Sequence, residues 1–298
     1  MTTRRSFILS SFALAALPGC VSLGRTPPTA QPTPAPVKIG LALGGGAARG
    51  FTHIGVIKAL EAQGIVPEIV VGTSAGSVVG SLYAAGLSGF ELQKVAMEMD
   101  EAQVGDWSLP DRGVFKGEAL QNFVNKAVGN RPLEKLSRTF AAVATDLHSG
   151  ELVAFRTGNT GMAVRASSTV PGVFQPVNVN GREYVDGGLV SPVPVRTARS
   201  LGANFVIAVD ISAKPKDGKT QNTLGMMLQT FAIMGQSISR YELAEADMVI
   251  RPATAELPSA DFQARHRAVL EGEKAAAVAM TELKAKLERM RQGGAEGR

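Results

Sequence analysis

A serine set between glycines, Gly72-Thr73-Ser74-Ala75-Gly76, is the first place in the sequence where chemistry could be done. The pattern G-x-S-x-G suits a nucleophile on a sharp strand-to-helix turn. Glycines on either side let the backbone close up without Cβ clashes and leave the hydroxyl projecting. Chance supplies the bare pattern about 0.2 times in a chain of this composition, so placement matters more than the match. A β-branched run, Ile69 to Val71, ends just before it, and an Ala/Val/Leu-rich helical stretch to Ala85 begins just after it. The competing use of such a serine is to cap the helix that follows.

Three consecutive glycines, Gly44-Gly45-Gly46, lie between an apolar run from Val37 to Leu43 and a helical pattern from Ala47 to Gln63. Backbone N–H groups there are unobstructed and can converge on negative charge. A phosphate-binding loop needs Gly-Lys-Ser/Thr at the helix start, but the chain reads Ala47-Ala48-Arg49-Gly50. A dinucleotide fingerprint counted from Gly44 meets Arg49 where its last glycine should be. An oxyanion hole remains, since it needs only donors within about 3 Å of the developing charge.

A third stretch, Asp186-Gly187-Gly188, follows Tyr184-Val185 and precedes Ser191-Pro192-Val193-Pro194-Val195. With the glycine loop and the serine elbow before it in this order, the chain resembles the bacterial patatin-like phospholipase family. Ala144-Thr145-Asp146, Arg165-Ala166-Ser167-Ser168, Pro171-Gly172-Val173-Phe174 and Leu201-Gly202-Ala203 carry the likeness further, over about Val37 to Ser212. The resemblance implies a serine-aspartate dyad. Ser74 attacks an ester carbonyl, Asp186 is its base, and the amides of Gly44, Gly45 and Gly46 with Arg49 nearby receive the oxyanion. Gly72 and Gly76 shape the elbow, while Gly187 and Gly188 shape the acid motif. An acyl-enzyme is then released by water. An aspartate of ordinary pKa, about 3.9, is a poor base for a hydroxyl, so such a dyad works only in a dry, preorganised site.

The three histidines define the alternative triad. His53 falls in the helix after the glycine loop, His148 in a turn before Gly150, and His266 in the tail; only His266 follows the acid. His53 reads as helix packing, His148 as a loop residue, and Asp146 as structural. No cluster of metal-ligating residues is visible, so neither a metal nor another cofactor is expected.

Elements that would hold these groups alternate along the chain. Strands are expected at Phe140 to Ala144, Leu152 to Arg156 and Phe205 to Val209, with helices near Gly117 to Val128, Gly161 to Ser167 and Val195 to Leu201. Such alternation predicts an α/β protein with a central, mostly parallel sheet. The resemblance implies the patatin-like three-layer α/β/α form, related to the α/β-hydrolase architecture. From about residue 224 to 291 the pattern is helical. Leu224, Met227, Leu228, Phe231 and Met234 form an apolar stripe there. Core packing is its expected role, with an acyl tunnel or membrane contact as the other uses.

Ahead of this domain, residues 1–19 read as a signal peptide: Arg4 and Arg5, then an apolar stretch from Phe7 to Leu17 too short to span a bilayer. Leu17-Pro18-Gly19-Cys20 resembles a lipobox, with Cys20 as the lipid attachment site, and Thr3-Arg4-Arg5-Ser6-Phe7 resembles a twin-arginine export motif. By resemblance to enteric lipoprotein sorting rules, Val21 after the cysteine favours the outer membrane. Five prolines between Thr26 and Pro36 favour an extended tether, so residues 20–36 form a spacer and 37–298 the catalytic domain. The net charge of +5 is too mild to imply nucleic acid.

The expected function is a serine esterase acting on membrane phospholipid or lysophospholipid. A non-catalytic lipid-binding or scaffolding lipoprotein, and a hydrolase of small esters or thioesters, stay open beside it. Head group, acyl position and oligomeric state have no signature in the sequence.

Overall fold

The computed structural model describes residues 36–99, 115–212, 214–215, 220–255, 257 and 264–292. All belong to one unit, Pro34–Arg298. The leader, Cys20 and most of the tether lie outside the described residues.

Eight strands form one sheet in the order β5-β6-β3-β2-β1-β7-β8, with β4 also pairing β3. Its centre is β1 (Ile39–Leu43), flanked by β2 (Ile69–Thr73) and β7 (Phe205–Val209). Outside these lie β3 (Thr139–Asp146) and β8 (Met248–Ile250). All four pairings among these five are parallel. The antiparallel part, β4 (Leu152–Phe155), β5 (Val177–Val179) and β6 (Arg182–Asp186), is built on the C-terminal part of β3, with β4 and β6 pairing it directly and β5 pairing β6.

Central strands such as Ile39-Gly40-Leu41-Ala42-Leu43 are buried on both faces, which is why they read as unbroken apolar runs. The two faces differ in bulk. Leu41, Leu43, Val70, Phe140, Ile207 and Val209 pack against α1 (Phe51–Ala62), α2 (Ala75–Ala84) and α8 (Arg265–Arg291). Small side chains, among them Ala42, Ala141 and Ala208, face α6 (Val195–Ser200). There the approach is close enough that a Cβ on Gly40 would stand 2.6 Å from the Ala203 Cβ. The three layers match the expected architecture. Helices α1 and α8 cross through glycines: a Cβ on Gly55 would lie 1.9 Å from the Val269 carbonyl oxygen, and one on Gly272 2.0 Å from that of Thr52.

The helices α4 (Glu118–Ala127) and α5 (Thr160–Ser167) form close to their expected limits. The stretch after the glycine loop divides instead into a 3-10 turn, Ala47–Gly50, and α1 proper. Strand β8, one helix and one hairpin add to the reading. Helix α3 (Gly89–Glu98) starts with a capping box between Ser88 and Glu91. Strands β5 and β6 form a hairpin around Asn180-Gly181, both left-handed at φ 53° and 82°.

Helix α7 (Thr223–Ala244) departs from expectation. Its apolar stripe does not form core: Leu224, Leu228 and Met234 are 42%, 40% and 51% exposed. The helix buries only Ser239, Glu242 and Leu243, all near its C-terminal end. Its first turns lean on the body through single contacts, such as Met227, whose Cε would be 2.5 Å from a Cβ on Gly172.

Candidate active site

Ser74 sits between β2 and α2 with φ 52° and ψ −124°, a conformation that costs a non-glycine residue energy and persists only when its surroundings enforce it. The enforcement is visible. A Cβ on Gly72 would fall 2.3 Å from the Gly76 carbonyl oxygen, and one on Gly76 would fall 2.1 Å from that of Leu43. The turn therefore closes only with glycine at both places. The Ser74 amide donates to Ser167 Oγ at 2.9 Å, and the Ser167 hydroxyl donates to the Val143 carbonyl at 2.6 Å. Thr73 Oγ1 donates to the Ser191 carbonyl at 2.8 Å. The serine does not cap its helix: no side-chain cap bond forms at Ser74.

Asp186 ends β6. Strand β2 pairs β3 as far as Thr73 opposite Val143, and β6 pairs β3 from Asp186 opposite Ala144. Because β4 occupies the other edge of β3 over Ala142 to Thr145, β2 and β6 share one edge end to end. The chain turns away from β3 at Ser74 at the point where Asp186 arrives, which brings the two side chains together. The Asp186 Oδ1 accepts from the Gly188 amide at 2.7 Å, and a Cβ on Gly187 would strike the Val143 carbonyl oxygen at 2.2 Å. Burial pushes the Asp186 carboxyl up to about 6, while hydrogen bonding from the Ser74 hydroxyl and the Gly188 amide holds it down. Its Oδ2 is buried without a regular hydrogen-bond partner, so the Ser74 contact is a loose one, as catalytic contacts often are until a substrate tightens them.

The glycine loop lies over the nucleophile, yet its donors differ from the expected set. The Gly44 amide donates to the Val209 carbonyl and the Gly45 amide to the Pro192 carbonyl, each at 3.0 Å. An N–H aimed at a protein carbonyl is not available to an oxyanion. Among the described residues no such bond engages the amides of Gly46, Ala47 or Ala48. Ala47 is left-handed at φ 51°. Ala75, the first residue of α2, adds a first-turn amide beside the serine that sequence reading did not single out. Arg49 braces the loop from within, its Nε donating to the Gly46 carbonyl at 3.1 Å.

His53 is another brace. Its Nε2 lies 2.8 Å from the Gly44 carbonyl oxygen and therefore carries the proton there. Full burial lowers its pKa to about 4, so the ring is neutral. His148 lies 3.3 Å from Glu183 and is largely exposed. His266 is exposed on α8. No histidine bonds Ser74 or Asp186 among the described residues. Asp146 accepts from the amides of His148 and Ser149 at 3.0 Å each, which makes it a turn cap.

Beside Ser74 opens a cavity of about 220 Å³, walled by Ala47, Phe51, Val79, Leu120, Val170 and Phe174 among others. Among the described residues, Ser74 and Ser168 are the only polar side chains on its wall, and the Ser168 hydroxyl is buried without a hydrogen-bond partner.

The family model for patatin-like phospholipase matches residues 41–199. An uncharacterized NTE family protein of Mycobacterium tuberculosis is 38% identical over 177 residues, covering 59% of this chain and 49% of that one. Patatin-like phospholipase domain-containing protein 6 of Mus musculus is 32% identical over 229 residues, covering 74% of this chain and 16% of that one. Lysophospholipase NTE1 of Coccidioides immitis is 35% identical over 181 residues, 59% of this chain and 12% of that one. The chain thus spans about half the length of the mycobacterial relative and a small part of the other two. Among solved structures, VipD from Legionella pneumophila shares the fold, with a TM-score of 0.54 at 16% identity over 84% of this chain and 68% of that one. The matched segment covers more than half of the sequence and contains the glycine loop, the serine elbow and the aspartate, and the chain belongs to the patatin-like phospholipase family.

Proposed function

We propose that the chain hydrolyses acyl esters of membrane lipids, phospholipid or lysophospholipid, through an acyl-Ser74 intermediate with Asp186 as general base. The observation that carries this reading is the meeting of Ser74 and Asp186 on one edge of β3 beside an apolar cavity. A long acyl chain suits that cavity better than a small polar ester does.

Ser74 Oγ attacks the ester carbonyl carbon while its proton passes to Asp186. The tetrahedral oxygen takes up negative charge and is received by the amides of Gly46, Ala47 and Ala75. Collapse breaks the ester bond, and the departing alcohol recovers the proton from Asp186. Water then attacks the acyl-Ser74 carbonyl and gives a proton to the same carboxylate; collapse breaks the bond between Ser74 Oγ and the acyl group, returns that proton to Ser74 Oγ and releases the fatty acid. A carboxyl raised to about 6 is a stronger base than an ordinary aspartate and still ionised at neutral pH. The relatives named as phospholipase and lysophospholipase support the lipid class.

As part of the same proposal, residues 1–36 export the domain and anchor it at the membrane through a lipidated Cys20, supported by the basic, apolar and lipobox-like features of that stretch. Labelling the full chain in cells with a fatty-acid analogue, beside Cys20→Ala, tests the anchor; equal labelling of both would remove it.

The decisive experiment on the chemistry is labelling by a fluorophosphonate probe, with Ser74→Ala and Asp186→Asn in parallel. Label on the parent and not on the variants is expected, followed by release of fatty acid from lysophospholipid vesicles. A folded parent that takes no label would overturn the assignment.

A further inference from the structure

Glu242 is 4% exposed, on the last turn of α7, the only charged side chain that helix buries. Its Oε1 accepts from the Ser191 hydroxyl, and its Oε2 accepts from the Val193 amide at 2.9 Å. Both donors belong to the segment that follows Asp186-Gly187-Gly188. The Val193 amide and the Pro192 carbonyl are the two ends of one peptide unit, and that carbonyl accepts from the Gly45 amide at 3.0 Å. A carboxylate pulling on the N–H of a peptide makes its carbonyl a better acceptor, so the two hydrogen bonds reinforce each other. The same segment reaches the elbow: the Ser191 carbonyl accepts from Thr73 Oγ1 at 2.8 Å, and the Ser191 amide donates to the Gly187 carbonyl at 2.8 Å.

We infer that Glu242 is a positioning residue that fixes the glycine loop over Ser74 through the polarised 192–193 peptide, and so sets oxyanion stabilisation without touching substrate. This rests on the reading of Ser74 and Asp186 as the reacting pair. Two further facts agree with it. Burial raises the Glu242 carboxyl to about 7, while the Ser191 hydroxyl and Val193 amide favour its charged form against that burial; a glutamine keeps the volume but loses the charge and one acceptor oxygen. The loop has no slack either, since a Cβ on Gly45 would already stand 3.2 Å from the Ser74 Cβ. The charged groups facing Glu242 are Arg196 of α6, which favours its ionisation, and Glu245 just past the end of α7, which opposes it. Arg196 is itself paired with Glu245 at 2.6 Å. From Gly187 to Val193 the segment offers only uncharged side chains.

The test compares the full chain with Glu242→Gln in two measurements. The first is turnover of a soluble nitrophenyl ester with the fluorophosphonate labelling rate; the second is hydrogen exchange of the peptide spanning Gly44 to Gly46. Glutamine preserves shape and removes the charge. The expected result is a kcat and a labelling rate lower by roughly tenfold with KM nearly unchanged, and faster exchange at Gly45. The acidic limb of the variant's pH profile should also move to lower pH, as only the Asp186 ionisation remains. Ser191→Ala removes one donor, leaves the carboxylate in place, and should shift the same readouts in the same direction if Glu242→Gln does not fold. Unchanged kcat and unchanged Gly45 exchange in a folded Glu242→Gln protein would overturn the inference. Failure of the parent itself to label would overturn the Ser74 reading, and the inference with it, and is recognisable because it appears before any variant is made.

Discussion

A Cβ added to Gly45 would sit 3.2 Å from the Cβ of Ser74, so the loop expected to face the oxyanion rests on the nucleophile's own side chain. Gly45→Ala should therefore fold, because a shift of a few tenths of an ångström relieves the contact, yet lose activity. Misplacement on that scale in a preorganised site costs roughly 10- to 100-fold in kcat. Gly76→Ala should behave differently. Its Cβ would enter the Leu43 carbonyl at 2.1 Å, which only a backbone shift can relieve, and a loss of stability of at least about 3 kcal/mol is expected. Thermal unfolding beside ester turnover separates the two. Parallel losses of stability and activity in Gly45→Ala would contradict the assignment.

Activity should depend on pH through Asp186. The carboxyl, raised to about 6 chiefly by burial, acts as a base only when ionised. After the shallower loss through about 7 expected from Glu242, the kcat/KM for a soluble ester should fall about tenfold per pH unit on the acid side of the Asp186 value. A profile that stays level down to pH 5 would remove Asp186 from the role.

Stability should run the other way. Asp186 and Glu242 both have folded-state pKa values above their ordinary ones, about 6 and about 7. Each contributes stability that is fully present below its unfolded pKa and is lost as pH rises through the folded value. The melting temperature should thus rise as pH is lowered from 7.5 to 5. Asp186→Asn should be more stable than the parent at pH 7.5, by up to about 3 kcal/mol for a two-unit shift, and should show a flatter dependence. A parent whose melting temperature falls steadily over that range would show that these carboxyls are not the ones governing it.

Chain-length preference should follow the cavity wall. Val79 is buried on α2 and lines the space beside Ser74. Val79→Trp should reduce kcat/KM for a long-chain ester by at least about tenfold relative to an acetyl ester, since each excluded methylene is worth roughly 1 kcal/mol or more. Equal losses for both esters would place the acyl chain elsewhere.

The serine elbow could be read from its spacing, because a strained strand-to-helix turn demands glycine on both sides of the reactive residue, whereas the role of Asp186 was implied by the resemblance its motif carries. Strands β1, β2 and β7 were legible for a similar reason, as unbroken apolar runs fit only a sheet buried on both faces. What the spacing could not convey is pairing across the chain. Nothing local in Gly44 and Gly45 says that their amides are taken by Val209 and Pro192, and nothing in Glu242 says that it will meet Val193. Helix α7 shows the limit of periodicity: an apolar stripe identifies a helix, but whether a body lies against it depends on where its last turns are anchored. The hairpin at Asn180-Gly181 and the Ser88 capping box, by contrast, were marked in the sequence by local signals.

The end-to-end sharing of one β3 edge by β2 and β6 gives Ser74 and Asp186 a common frame of reference. Any displacement of β3 carries both residues along together and leaves their separation unchanged. Only slippage of one ladder relative to the other can part them, and that requires breaking several backbone hydrogen bonds at once. Alignment of the Ser74 and Asp186 side chains is thereby inherited from the register of the sheet, and the proposed dyad needs no third side chain to orient its carboxylate.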